Sequence, residues 1–354
     1  MIIVQQAKDP RLAKSRAESL CHAVQNNLLY TLIVEPSSKC NLACTFCDLH
    51  SGRIEGTDAL KGQMTEQTFF RIVDQLAELP FVLKELQYHG NGEPLMNKQL
   101  PDFVRYAKLR GVANKHRLTT NGTMLNPKNL EKVIEAGIDE IHVSLDTADR
   151  EAYSELKGCD LHDKVDANLD YAISYLQQRG GCSLFIKYAI PHVRGDYGFT
   201  QEIANGVVEK YRARVEGSEI IHLKGMPVVT LLDGMKDKNR EFKSACEVPF
   251  FSIFIKFDGK VSACCADIFE DLSLGNIQDS SLSDIINGTA LRDIRRHHLN
   301  GDLKQLPICL YCGNRTAVNM KAIAEELKKH IGNGGEVGTP DRISADVPRV
   351  LLKS

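Results

Sequence analysis

Three cysteines, Cys40, Cys44 and Cys47, stand close together in the stretch Cys40-Asn41-Leu42-Ala43-Cys44-Thr45-Phe46-Cys47. Thiolates are the usual ligands of iron–sulfur clusters, and a cubane normally takes four of them. A set of three leaves one iron with an open position, where a substrate or cofactor can bind. A zinc site or unrelated buried thiols are the plainer readings, but zinc knuckles usually show paired C-x2-C units and this is a lopsided triplet. A second set lies far downstream: Cys246, the neighbours Cys264 and Cys265, and Cys309-Leu310-Tyr311-Cys312. Four thiolates alone allow zinc or a cluster.

Between the two sets, polar residues gather in three short stretches. In Tyr88-His89-Gly90-Asn91-Gly92-Glu93-Pro94, the glycines let backbone approach a ligand and the carboxylate can accept from an ammonium group. A glycine turn is the bland alternative. His89 is either a hydrogen-bonded core histidine or a substrate contact. In Leu118-Thr119-Thr120-Asn121-Gly122, Asn-Gly is itself a turn signal. In Ile141-His142-Val143-Ser144-Leu145-Asp146, alternation puts Ser144 and Asp146 on one face and Leu145 on the other. Buried polar groups there need partners, unless Asp146 or Thr147 simply caps the following helix. Further on, Lys187 and Arg194 can each pair with a carboxylate or serve as a structural charge.

The elements that must position these residues alternate in type. Strand-like runs cover 31–35, 83–89, 116–120, 140–145, 184–190 and 219–224. Helical runs cover 65–79, 99–110, 127–136, 164–178 and 201–214. Six strands alternating with helices predict a parallel sheet with helical crossovers. The polar stretches fall just after strand ends, where α/β folds do their chemistry. Residues 250–257 and 260–263 read as a hairpin turning at Asp258-Gly259, and 284–296 as a helix. A boundary falls in 225–240, which gives four segments: a helical leader over 1–27, the main domain over 28–225, a small cysteine domain over 240–325, and a loosely ordered tail over 326–354.

The chain of 354 residues is 43% hydrophobic and 25% charged, an ordinary globular composition. No apolar run approaches the roughly 20 residues of a membrane helix, and the N-terminus does not read as a signal peptide. A net charge of −2 without a basic block gives nucleic acid no evident footprint. Eleven cysteines without a secretion signal argue for free, metal-binding thiols in a reducing compartment, the cytoplasm.

The triplet C-x3-C-x-F-C after a strand ending Glu35-Pro36 resembles the signature of the radical S-adenosylmethionine (SAM) enzymes. The resemblance extends over residues 28–315 and implies a partial (β/α)6 TIM-type barrel with a small C-terminal α+β cluster-binding domain. It implies that the open iron is chelated by SAM, which the reduced cluster splits to a 5′-deoxyadenosyl radical that abstracts hydrogen from substrate. Phe46 would lie near the adenine. Gly90, Gly92 and Glu93 resemble the family's GGEP motif, whose backbone binds the SAM amino group, although Asn91 interrupts the double glycine. Thr120 and Asn121 would line the cavity. Ser144 and Asp146 match the ribose position, and Lys187 or Arg194 would meet a carboxylate of SAM or substrate.

Downstream, C-x12-G-x4-C followed by C-x2-C looks like the shortened auxiliary-cluster domain called Twitch, a relative of SPASM. That implies a second [4Fe–4S] cluster on Cys246, Cys264, Cys309 and Cys312, with Cys264 preferred over Cys265 for its glycine spacing. The expected activity is oxidation or epimerisation of a small sugar- or aminocyclitol-like substrate, with flavodoxin or ferredoxin as electron donor. An epimerase would need a hydrogen-returning thiol, for which Cys159 and Cys182 are the candidates; each is otherwise structural. Maturation of a ribosomal peptide is the competing enzyme reading, although 27 leading residues cannot house the usual peptide-recognition domain. A non-enzymatic iron–sulfur electron carrier is the third.

Overall fold

A computed structural model describes residues 28–52, 56–190, 200–227 and 246–312. The predicted leader with Cys21, the 225–240 boundary beyond Pro227, Arg194 and the C-terminal tail lie outside the described residues. One sheet organises the rest, with strand order β6-β5-β4-β3-β2-β1-β7-β8-β9. Its first six strands are β1 (Thr31–Val34), β2 (Leu83–Tyr88), β3 (Ala113–Thr120), β4 (Glu140–Asp146), β5 (Ser183–Ile190) and β6 (Ile221–Pro227). All are parallel. Helices α1 (Glu66–Ala77), α2 (Leu100–Arg110), α3 (Pro127–Ala136), α4 (Arg150–Lys157), α5 (His162–Arg179) and α6 (Gln201–Val215) connect them. The chain has the α/β fold of a partial barrel.

Helix starts follow local chemistry. Thr65, Asn126, Asp149 and Thr200 each accept a hydrogen bond from the backbone N–H three residues on, satisfying a donor the helix itself cannot. The helix-facing side of the sheet is apolar, with Leu86, Leu118, Ile141, Val143, Leu184 and Ile186 buried. Phe69 of α1 stacks on Phe103 of α2 with centroids 4.5 Å apart. The opposite face alternates to polar residues: Glu85, Gln87, Lys115, Arg117, Glu140, His142, Lys187, His222 and Lys224. A strand alternates its faces residue by residue, so this polar set forms the inner surface of the partial barrel.

The C-terminal segment continues the same sheet. Strand β7 (Ser252–Ile255) runs parallel to β1, with Thr31 opposite Ser252 and Val34 opposite Ile255. β8 (Lys260–Ser262) and β9 (Ser273–Asn276) follow antiparallel. Three local readings need correction. The strand expected over 250–257 begins as a helical turn, α7 (Val248–Phe251), because Pro249 fits a first helical turn and has no N–H to give a ladder. The helix expected over 284–296 is two, α8 (Leu282–Ile286) and α9 (Thr289–Asn300). The break is Asn287-Gly288, where glycine takes an extended cap and a Cβ would come within 3.1 Å of Asp284 O. Finally, α4 is a helix that the expected runs did not include, and it places Cys159 in the short α4–α5 connection.

Candidate functional site

The cysteine loop leaves β1 and is pegged on both sides. On one side, the Ser38 hydroxyl donates to Leu60 O at 3.0 Å and accepts from Gly62 N at 2.7 Å. On the other, Ala43 N and Thr45 N donate to Lys157 O and Leu156 O at the end of α4, at 3.2 and 2.9 Å. The sulfurs receive N–H donors: His50 N reaches Cys47 Sγ at 3.4 Å, and Asn121 Nδ2 reaches Cys40 Sγ at 3.7 Å. Each of Cys40 and Cys44 feels the charge of Cys47, so the three thiols share one electrostatic environment. Burial pushes the Cys44 thiol up to about 12. Left alone it stays protonated, whereas a coordinated thiol is deprotonated outright.

The glycine–acid stretch serves the protein's own loops. A Cβ on Gly92 would lie 2.4 Å from Lys39 O, and one on Gly90 would lie 2.5 Å from Glu35 Oε1. Both glycines therefore let this loop pass against the cysteine loop. Glu35, buried at the end of β1, accepts from Asn91 N at 2.8 Å and Asn91 Nδ2 at 3.1 Å. Asn91 is thus a built-in partner at the place where it departs from the double glycine. Glu93 is also buried, and its oxygens accept from Thr120 Oγ1, Asn121 N and Leu95 N at 2.7, 2.7 and 3.1 Å. These three bonds fix the orientation of the carboxylate. Glu93 and Thr120 clasp two strand-end loops together, and that clasp aims Asn121 at Cys40.

At the end of β4, Asp146 adopts a left-handed backbone with φ of 70°, a conformation aspartate tolerates better than most residues. A register shift accompanies it between Ser144 and Asp146. Its carboxylate forms an ion pair with Lys157, whose ammonium also donates to Ser144 O at 3.2 Å and lies 5.4 Å from the Phe46 ring centre. Burial works against this ammonium, but Asp146 and the Cys44 thiol outweigh it and hold Lys157 above the ordinary lysine range. Phe46 packs on Leu156 and Ala189. Lys157 was missed in the sequence because α4 was missed; the Asp149 cap and the Lys157-Gly158 terminus were its available signals.

Other candidates separate. Lys187 lies on the inner face, in register with Ser144 on β4. His89 Nε2 pairs with Gln87 Oε1 at 2.9 Å, and burial, then Lys187 and Arg117, pull its imidazole down to about 3. Cys159 follows Gly158, which packs against Ala43 of the cysteine loop. Cys182 precedes β5 at the opposite end of the strands, beside Asp139 and Glu140, and burial pushes its thiol up to about 12. The structure does not bring it to the triplet.

The second cysteine set converges. Cys246, Cys264, Cys309 and Cys312 line one hollow, together with apolar Val248, Pro249, Leu272 and Ile308. Cys246 N donates to His298 Nδ1 at 3.1 Å, and Ala266 N donates to Cys264 Sγ at 3.4 Å. The loop carrying Cys264 is pinned by buried Asp267, which accepts from Ser262 Oγ, Asp271 N and Leu272 N at 2.7, 2.9 and 2.9 Å. Cys265 is outside that lining, although its thiol senses Cys312 and Cys246. Among the described residues, no three His, Cys, Asp or Glu gather as ligands of a single ion would. A cubane puts each thiolate on its own iron and asks for a wider spacing. Four thiols around an apolar hollow, and a triplet with N–H donors on its sulfurs, fit iron–sulfur clusters.

Comparison with known proteins agrees. Residues 34–186 match the radical SAM superfamily, and residues 246–313 match an iron–sulfur cluster-binding domain, SPASM. The chain is 32% identical over 139 residues to the GTP 3′,8-cyclase of Chlorobaculum tepidum, covering 38% of each. It thus spans less than half the length of the first curated relatives it matches. It is 23% identical to the S-adenosyl-L-methionine-dependent 2-deoxy-scyllo-inosamine dehydrogenase of Niallia circulans, over 81% of this chain and 94% of that one. The crystal structure of BtrN in complex with AdoMet and 2-DOIA superposes with a TM-score of 0.53 at 20% identity, covering 81% and 94% of the two chains. That likeness shows the fold. No helix among the described residues is long and apolar enough to cross a membrane. The two domains imply SAM and two [4Fe–4S] clusters as cofactors. The chain is a member of the radical SAM superfamily with a C-terminal iron–sulfur cluster-binding domain of the SPASM type.

Proposed function

We propose that the chain dehydrogenates or epimerises a small polar sugar- or aminocyclitol-like substrate, with a flavodoxin or ferredoxin as reductant. The observation that carries this reading is the second hollow, where four cysteines are available and no ligand position is left over. A centre held by four thiolates has no open iron and serves electron transfer better than substrate binding. The bound cofactors would supply hydrogen-atom abstraction, with 5′-deoxyadenosine as by-product, and a destination for the second electron of an oxidation. The chain's own residues do the rest. Cys40, Cys44 and Cys47 hold the first cluster, and Asn121 steadies Cys40. Cys246, Cys264, Cys309 and Cys312 hold the second. The inner face receives the substrate beside His142, whose imidazole burial pulls down to about 4 against the opposing pull of Glu140, so it stays neutral at neutral pH. Over 81% of this chain, the likeness to an aminocyclitol dehydrogenase supports the same class.

Reconstituted protein with dithionite and SAM is expected to form 5′-deoxyadenosine. Sugar alcohols and aminocyclitols should then be converted either to a ketone without deuterium uptake from heavy water, or to an epimer with it. Only the second outcome should be sensitive to Cys159→Ala. Absence of 5′-deoxyadenosine under every condition would end this reading. For the second cluster, Cys264→Ala is expected to lose about four irons per chain while Cys265→Ala keeps them. The reverse pattern would move the ligand to Cys265.

A further inference from the structure

The inner face carries a charge arrangement that folding alone does not explain. Lys187 on β5 and Lys224 on β6 are direct register partners on adjacent parallel strands. Like charges placed opposite one another destabilise a sheet. The carboxylates of this face are already engaged. Glu85 pairs with Arg117 at 2.5 Å, and Glu140 pairs with Lys115 at 2.5 Å and with Arg117 at 3.0 Å. Asp146, whose charge Lys187 also feels, forms its ion pair with Lys157. Lys187 and Lys224 have neither a hydrogen bond nor an ion pair among the described residues.

Both ammonium groups are pulled below the ordinary lysine range. Burial is the main cause for each. For Lys187, Asp146 opposes it while Lys224, Lys157 and Arg117 add to it; for Lys224, Arg117 adds to it while Glu140 and Glu85 oppose it. One layer below, His142, Phe185 and His222 stack across β4, β5 and β6 with centroids 4.4 and 4.5 Å apart. The rings are inclined to one another by 32° and 28°, and lie one layer below the two cations.

We propose that Lys187 and Lys224 bind a phosphate group of the substrate on the inner face of the barrel. The inference rests on the proposed function and narrows its substrate to a phosphate-bearing small molecule. Two point charges on neighbouring strands suit a dianion, and lysine binds phosphate as a point charge without the planar geometry arginine imposes. A dianion between them turns mutual repulsion into shared attraction and replaces the solvation each cation gave up. This assigns Lys187 to the substrate, with a phosphate in place of the carboxylate expected for it.

Titration calorimetry of cluster-loaded protein with inorganic phosphate tests this, with malonate as the carboxylate probe. Lys187→Gln and Lys224→Gln are each expected to weaken phosphate binding by about tenfold or more, as loss of a charged hydrogen-bond donor does. Lys224→Arg should retain it. Both glutamine variants should melt at or above the wild-type temperature, because repulsion is relieved; a purely structural lysine would give a lower one. Unchanged phosphate affinity in the double glutamine variant, or no phosphate binding by wild type, overturns the proposal. Binding of malonate but not phosphate overturns the phosphate assignment. Formation of 5′-deoxyadenosine without substrate is scored separately. Its absence alongside intact phosphate binding would end the catalytic reading and leave the anion site standing.

Discussion

Replacing Cys40, Cys44 and Cys47 together with alanine is expected to lower the iron content of reconstituted protein from about eight to about four per chain, and to abolish 5′-deoxyadenosine formation. The effect is local because the two cysteine sets stand on separate supports. The triplet is pegged to Leu60–Gly62 and to the end of α4. The second set lines its own hollow beyond β7, closed by Pro249, Leu272 and Ile308. Neither loop donates a hydrogen bond to the other among those described. Four irons falling to none would mean that the downstream quartet holds zinc or nothing. The electron-acceptor role would then go, and a redox-neutral epimerisation would be favoured. Retention of 5′-deoxyadenosine formation in the triple variant would sink the catalytic assignment of the triplet.

Much of this site was legible before any coordinates, for a physical reason. Metal ligands are chemically distinctive and their spacing is short-range, so Cys40-x3-Cys44-x2-Cys47 and Cys309-x2-Cys312 could be read directly. The six parallel strands were legible because short strand-like runs alternate with helical ones between breakers; observed ends differ from the expected ones by a few residues, as at β3, which begins at Ala113. What sequence hid was partnership. Nothing beside Glu93 in the sequence points to Thr120, lying 27 residues away, which donates to one of its oxygens. Helix α4 was hidden because its eight residues bury only Tyr153, Leu156 and Lys157, too little for a clear apolar period. With it went Lys157, whose signals are only the Asp149 cap and the Lys157-Gly158 helix end. The parallel pairing of β7 with β1 joins segments more than 200 residues apart, which periodicity cannot report.

Lys157→Met is expected to destabilise the protein by about 3–5 kcal/mol, the usual effect of stripping one partner from a buried ion pair. Asp146 would keep its charge in a site it cannot leave, because its left-handed backbone and the adjacent register shift fix where the carboxylate points. The sign of the pH dependence follows from the lysine. Its folded-state pKa lies above the ordinary value, so the stabilisation is fully present below the unfolded lysine pKa of about 10.4 and is lost only as pH rises past the folded value. Across neutral pH the deficit of the variant should therefore be flat. Urea melts of wild type, Lys157→Met, Asp146→Asn and the double variant would measure the coupling; the double should be less damaged than the sum of the singles. A Lys157→Met melt coincident with wild type would show that the pair contributes nothing. Lys157 is also the nearby cation that draws the Cys44 thiol downward against burial. Its loss should slow cluster loading at the triplet while leaving the downstream hollow unaffected. Iron uptake by Lys157→Met should then stall near half of the wild-type value at early times, which separates a weakened first site from general unfolding.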